Sequence, residues 1–549
     1  MMRITHAEWQ WAVIASLLVM LLSSVPVIAG YVGQTPEQVF GGAVFDRMDY
    51  NVRLAGIQTG LRGVWESQLL HTSERVPPSY AIIFYVFVGQ IGRLLPLSPP
   101  ALYEAARWIC GLWALLTMYL FAARFLWPVP LRRAAFLIGA LGSGVGWIMF
   151  LTRWQPTPGI SPVDFWLIDL YGFFSILVFP HFSTVMALTW TTALAFLNYW
   201  KTGRARWLAL AIIASALAQA TQPFAPLIID IALGGYALWN WIRQKKIAWR
   251  ELWSLVIFAA TQAPLLIYSA SIFYGDPVWQ SFSKQNLTPS PPPIYYLLGL
   301  GIPGLFAVVG AWHAARRKSG ESRLLVAWVV GVAILIYLPF QFQRRFTEGV
   351  MGPVAVLAAI GLGRGLLPAT RRWGGFKKMF ARVHYPYRRA RGVLLILVIV
   401  ATMPSSLYLA FGGGLIAITR SPALFDPADV VAAVDWLGAH SDWQATVFSA
   451  ERTGSFIPAR IGHRVYLGHP IETAAYDIKT SNVERFFGME VTDDERRALL
   501  AECGCRFVFY GPSEKMLGSF QPDTADFLQL RYTNDSTAVY EAVDVPNDE

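Results

Sequence analysis

Charge is scarce in this sequence: Lys, Arg, Asp and Glu make up 15% of its 549 residues, where soluble domains carry about 25%. That deficit excludes a disordered chain and a water-soluble enzyme. Cysteine is scarcer still, with three residues. Cys110 lies in an apolar run, and Cys503 and Cys505 stand too close in sequence for ordinary bridge geometry, so no disulfide framework is expected. Internal repeats and low-complexity tracts are also absent. What fills the sequence instead is apolar: 55% hydrophobic residues, a mean hydropathy of +0.42, and 22 Trp, 22 Tyr and 34 Phe. Such aromatic wealth suits the belts at membrane–water interfaces. A net charge of +10 would suit nucleic acid, but the basic residues sit in short loops between apolar runs. The chain reads as a polytopic helical membrane protein, with membrane lipids and not nucleic acid as its surroundings.

A helix needs about 20 apolar residues to cross a bilayer. Runs of suitable length lie at 9–30, 102–122, 134–151, 174–200, 207–219, 224–242, 252–274, 295–313, 324–340, 350–367 and 393–411, eleven in all. The first follows a short basic start and lacks a small-residue cleavage site, so it reads as a retained anchor. The stretch 80–97 is apolar enough to be a twelfth, and basic asymmetry decides against it. With the amino terminus cytoplasmic and 80–97 not crossing, the basic loops fall inside, including the nine Lys and Arg of 364–391. If 80–97 crosses, that loop lands outside. An interfacial or re-entrant helix is therefore expected there.

This map gives a transmembrane domain at 1–411, with a first extracytoplasmic loop at 31–101 and a second at 152–173. The tail, 412–549, turns polar and alternates strand-like runs (445–449, 506–510, 538–542) with helix-like ones (427–440, 481–488, 493–501). An extracytoplasmic α/β domain is expected. The localisation this implies is the plasma membrane, multi-pass.

Several side chains carry potential chemistry. Asp46 and Asp49 occur in FDRMDYNVRLAG of the first loop. If helical, a spacing of three puts both carboxylates on one face, beside apolar surface suited to raising a general base's pKa. The plainer role for Asp49 is an ion pair with Arg53, four residues on. Glu74 precedes Pro77-Pro78 and the interfacial stretch, where it can bind a hydroxyl or serve as a cap. Arg107, near the outer start of the second run, is expensive in a membrane unless paired, and its planar fork matches phosphate oxygens. Snorkelling to headgroups is the competing account. Asp164 and Asp169 of the second loop precede Phe179-Pro180-His181-Phe182. Arg344 and Arg345 stand together at an outer junction against the basic trend, which an anionic lipid would explain. Asp230 is a further acid inside a run. No D-x-D triplet occurs in the two main loops and no His/Cys group has ligand spacing, so no metal or cofactor is expected, a divalent ion being open but unsupported.

In layout the chain resembles GT-C membrane glycosyltransferases, in the neighbourhood of family 39, protein O-mannosyltransferases and aminoarabinose transferases, and its first loop resembles the pattern of uncharacterised bacterial members. The resemblance rests on Asp49-Tyr50 through Gly60, Gly63 and Trp65, on His71-Thr-Ser-Glu74, Phe179-Pro-His-Phe182 and Gln343-Arg-Arg345, and on Gly462-His-Arg-Val-Tyr-Leu-Gly-His469 with Glu472-Thr473. It implies inverting transfer of a sugar from a polyprenyl-phosphate donor at the extracytoplasmic face. A first-loop acid would be the base, which maps to Asp49, then Asp46, with Glu74 beside them. Arg107, Arg344, Arg345 and His181 would hold the donor phosphate. Characterised members usually show Asp-Glu where this chain has Asp49-Tyr50. A lipid or sugar transporter or flippase, and a non-catalytic scaffold, are the alternatives. Against the transporter, no inverted repeat is visible and the acids cluster in outer loops.

Overall fold

The computed structural model describes residues 4–316, 320–372, 387–489 and 491–543. Part of the most basic loop, 373–386, lies outside the described residues. The chain divides into two compact units. One comprises Met1–Val25, Arg107–Ile267 and Thr288–Gly413, the other Pro26–Ala106, Tyr268–Leu287 and Gly414–Glu549.

The first unit is helical. Six helices of the described chain are long and apolar enough to cross a membrane: His6–Val32, Pro99–Phe125, Ala225–Gln244, Trp249–Gly275, Pro293–Arg316 and Met351–Thr370. Two bent pairs, Val129–Leu141 with Gly146–Thr152 (45°) and Arg389–Val400 with Pro404–Ile418 (52°), raise the number to as many as eight. Length and composition thus account for six to eight of the eleven runs. The others are helical but shorter or interrupted. Ala205–Thr221 and Arg323–Leu335 are short. The run at 174–200 is split into Gly172–Val178 and Pro180–Thr202. Pro180 has no N–H to give and drives Phe179 into extended backbone (φ −124°, ψ 119°).

Close helix approach in this unit uses glycine. A Cβ at Gly310 would collide with the Leu357 carbonyl, and one at Gly361 with the Phe306 carbonyl. Helices Pro293–Arg316 and Met351–Gly361 therefore cross backbone to backbone, as small residues allow in membranes. Arg132 Nη1 donates to Glu8 at 2.7 Å, and the Tyr119 hydroxyl donates to the same carboxylate at 3.1 Å. Asp230, whose partner the sequence does not reveal, accepts from Gln262 Nε2 at 3.2 Å.

The second unit joins the first loop to the tail. Strand β1 (Gln38–Phe40) pairs antiparallel with β2 (Phe425–Pro427). A five-stranded sheet follows, built from β3 (Thr446–Phe448), β4 (Arg464–Val465), β5 (Cys505–Tyr510), β6 (Leu528–Thr533) and β7 (Ala538–Ala542), in the order β4-β3-β5-β7-β6. β3 runs parallel to β4 and β5, while β7 is antiparallel to β5 and β6. Alternation along β5 explains why both faces are covered. Phe507 and Phe509 point into one core with Val434 and Ile457, while Val508 between them points into another with Phe486 and Phe487. The expected strands and helices of the tail are present, joined by β4, β6 and a helix at Glu451–Ile461 that the sequence pattern does not announce.

Two sequence expectations need correction. Cys503 and Cys505 are joined by a disulfide, because the turn at Gly504 (φ +61°) folds their Cα atoms to 5.2 Å, inside the usual range for a bridge. Asp46 and Asp49 do not share a helical face. The helix begins at Arg47, and Asp46 precedes it in the left-handed conformation (φ 49°) that Asp tolerates better than most residues. The stretch 80–97 holds only the nine-residue helix Phe84–Gly92, roughly 14 Å long, too short to span a hydrocarbon core. It crosses helix Arg47–Leu61 at a glycine pair, where a Cβ on Gly60 would meet the Val86 carbonyl and the Gly89 backbone.

Candidate functional site

In the unit of loop and tail, helix Arg47–Leu61 positions Asp49 in its first turn, where the helix dipole favours a carboxylate. The helix is anchored to the tail along its length. Arg47 pairs with Asp426, Asn51 Nδ2 donates to Ser455 Oγ at 3.1 Å, and Gln58 Nε2 donates to the Arg460 carbonyl at 2.6 Å. Asp49 Oδ1 accepts from Arg53 Nη2 at 3.1 Å, the i,i+4 pair that spacing suggests. The same oxygen lies 4.0 Å from Nε2 of His469 in the tail.

His469 is buried, and its Nδ1 accepts from the Ile471 N–H at 3.2 Å. Burial lowers its pKa against the pull of Asp49 and Glu472. Its neighbour His71 is fully buried, with Nδ1 2.9 Å from Glu472 and Nε2 3.3 Å from the Ser455 carbonyl. Both ring nitrogens thus face oxygen atoms. The two imidazoles lie 6.3 Å apart, ring to ring. Asp49, Arg53, His71, His469 and Glu472 therefore form one polar cluster inside this unit. Neither histidine is marked by sequence spacing. Their only signal is the motif that resembles other chains, since about 400 residues separate the partners.

Glu74 lies in another part of the same unit. It pairs with the buried Lys479 ammonium at 2.6 Å, which also donates to Thr72 Oγ1 at 3.1 Å and Ser73 Oγ at 2.9 Å. Burial works to raise the Glu74 pKa, but Lys479 and the Thr72 hydroxyl carry it below the ordinary value. The arrangement is a tie between loop and tail, with Glu74 held as a carboxylate.

In the helical unit, Arg107 is buried, with Nη1 donating to Ser23 Oγ (2.8 Å) and the Ile176 carbonyl (3.3 Å), and Nη2 to Ser24 Oγ (2.9 Å). It does not snorkel. Arg345 Nη1 meets Asp169 Oδ1 at 3.2 Å, and its guanidinium lies 5.5 Å from the centre of the Phe182 ring. His181 packs on that same ring at 4.3 Å. Arg344 lies over Trp166 at 5.3 Å, its backbone N–H donating to the Thr288 carbonyl at 3.1 Å. Asp169, His181 and Arg345 are thus brought together around Phe182. Glu348, which the sequence gave no reason to single out, is fully buried. Neither of its oxygens has a hydrogen-bond partner among the described residues. Burial and the nearby Asp169 push its pKa well up against the opposing charge of Arg345.

Asp164 serves the backbone. Its Oδ1 accepts the Gly144 N–H at 2.7 Å, and burial raises its pKa to about 6 despite hydrogen bonds from Ser405, Gly144 and Gly146. No group of three or more His, Cys, Asp or Glu able to hold a metal ion occurs among the described residues.

No protein-family model and no curated protein matches the chain. Solved structures do. The Archaeoglobus fulgidus oligosaccharyltransferase tethered with an acceptor peptide matches with a TM-score of 0.53 at 16% identity, covering 98% of this chain and 75% of that one. The same organism's AglB in complex with an inhibitory peptide and a dolichol-phosphate matches at 0.51 and 14% identity, over 99% and 76%. The arabinofuranosyltransferase AftD from Mycobacteria matches at 0.53 and 14% identity, over 98% of this chain and 40% of that one. The chain therefore has the fold of the GT-C glycosyltransferases.

Proposed function

We propose that this chain is a membrane glycosyltransferase that moves a sugar from a polyprenyl-phosphate-linked donor to an acceptor hydroxyl, with inversion, at the extracytoplasmic face. The observation that carries the reading is the Asp49 carboxylate at a helix start, flanked by Arg53 and His469, in a chain of GT-C fold. Asp49 takes the acceptor proton as the acceptor oxygen attacks the anomeric carbon. The carbon–oxygen bond to phosphate breaks, and its electron pair leaves with the polyprenyl phosphate. Asp46 is the rival base, and Glu74 keeps the loop on the tail. In the helical unit we assign phosphate binding to Arg344 and Arg345, with His181 nearby. Arg107 keeps the same candidate role, with the Ser23 and Ser24 hydroxyls as partners it would exchange. Dolichol-phosphate bound to the similar AglB supports a polyprenyl-phosphate partner.

The test uses the full chain in liposomes and a panel of polyprenyl-phosphate-linked mannose, glucose and arabinose, following release of free polyprenyl phosphate. A positioned base contributes roughly 10²–10⁴-fold to rate. Asp49→Asn is expected to lose that factor while keeping donor binding, and Asp46→Asn to be milder. Undiminished transfer in both variants overturns the assignment of the base. Passage of intact donor across the liposome, with none consumed, assigns the chain to transport.

A further inference from the structure

The tail brings one group, His469, to the Asp49 carboxylate. The Ile471 N–H points at His469 Nδ1, 3.2 Å away, so that nitrogen is the acceptor. In the neutral ring the proton must then sit on Nε2. The Nε2 atom faces Asp49 Oδ1 at 4.0 Å, longer than a formed hydrogen bond, in the manner of catalytic contacts that tighten once substrate is bound. Arg53 addresses the same oxygen at 3.1 Å.

We infer that His469 is a positioning residue for Asp49: a tail imidazole, its tautomer fixed by the Ile471 N–H, that presents Nε2–H to the carboxylate and sets its direction. This rests on Asp49 being the base. The groups facing His469 are Asp49, Arg53, His71 and Glu472. Burial among them lowers its pKa, which favours the neutral ring, a one-proton donor. A donor to the ionised carboxylate favours that form. Removing it therefore lets Asp49 hold its proton to higher pH and swing from its aim.

The variants are His469→Leu, which fills the volume without a donor, and His469→Gln, which restores a side-chain N–H. Both are assayed in liposomes with the panel donor that the wild-type protein consumes. Misplacing a reacting group by about 1 Å costs on the order of 100-fold. His469→Leu is expected to lose roughly 10- to 100-fold in kcat, with donor KM unchanged and the acid limb of the pH–rate profile moved upward. His469→Gln is expected to recover most of both. In an Asp49→Asn background, His469→Leu should cost no further activity. An unmoved acid limb and wild-type kcat in His469→Leu overturn the inference, as does equal loss in the Leu and Gln variants. Should the Leu variant not fold, a Gln variant without activity overturns it. Full activity of Asp49→Asn alone would instead overturn the underlying assignment of the base.

Discussion

Asp164→Asn separates a buried acid that serves the fold from one that serves the reaction. In the folded protein Asp164 is 2% exposed and releases its proton near pH 6. In the unfolded chain an aspartate does so near pH 3.9. Folding therefore takes up a proton between those values. Its stabilising share is complete below about pH 4 and is lost as pH rises through about 6. Two decades of proton affinity at about 1.4 kcal/mol each give roughly 3 kcal/mol. Asparagine keeps an acceptor for the Gly144 N–H at 2.7 Å and does not titrate. The assay is thermal unfolding of the detergent-solubilised protein from pH 4.5 to 7.5, read as the wild-type minus variant difference. That difference cancels the other carboxylates. It should fall by up to about 3 kcal/mol across the window, with sugar transfer retained in the variant. A flat difference refutes the titration, and a stable variant without transfer refutes the structural role.

Arg345→Met strands Asp169, which is 3% exposed, and should cost about 3 kcal/mol, the lower end for breaking a buried pair because Arg345 is partly exposed. Adding Asp169→Asn should restore much of it, as a double-mutant cycle of unfolding would show. Glu74→Gln should matter in the opposite pH sense from Asp164. Its depressed pKa stabilises above about pH 4.3 and fades as pH falls, so the variant should be weaker at pH 7 and converge with wild type in acid. Gly60→Ala drives a methyl into the Val86 carbonyl and should lose about 1–3 kcal/mol, measurable as earlier proteolysis of the first loop.

Run length made the helices legible, since a stretch such as 252–274 admits little else. The breaks were less so: Pro180 was visible, but its effect on Phe179 depends on where the chain must turn. Alternation made β5 and β7 readable, while the two-residue β4 is too short to carry a pattern. At the candidate site, Asp49 and Arg53 are neighbours in sequence and could be paired by counting. His469 and Glu472 could not, because what brings them to Asp49 and His71 is a fold closed over some 400 residues. Glu348 was hidden for another reason. A glutamate in a short polar loop gives no sign that it will be buried without a partner.

The pairing of β1 with β2 has a cost in time. Residues 38–40 meet 425–427, so the strand that leaves the ribosome first waits for almost 400 residues to be made. At roughly 5–20 residues per second, that is on the order of 20–80 s. Through that interval the first loop presents an unpaired strand edge, and for about its first half Leu69 and Val76 lack the Trp279 that later covers them. Biogenesis of this protein should therefore depend on a holding factor that recognises extended, apolar segments, and should stall in chains cut short before the tail.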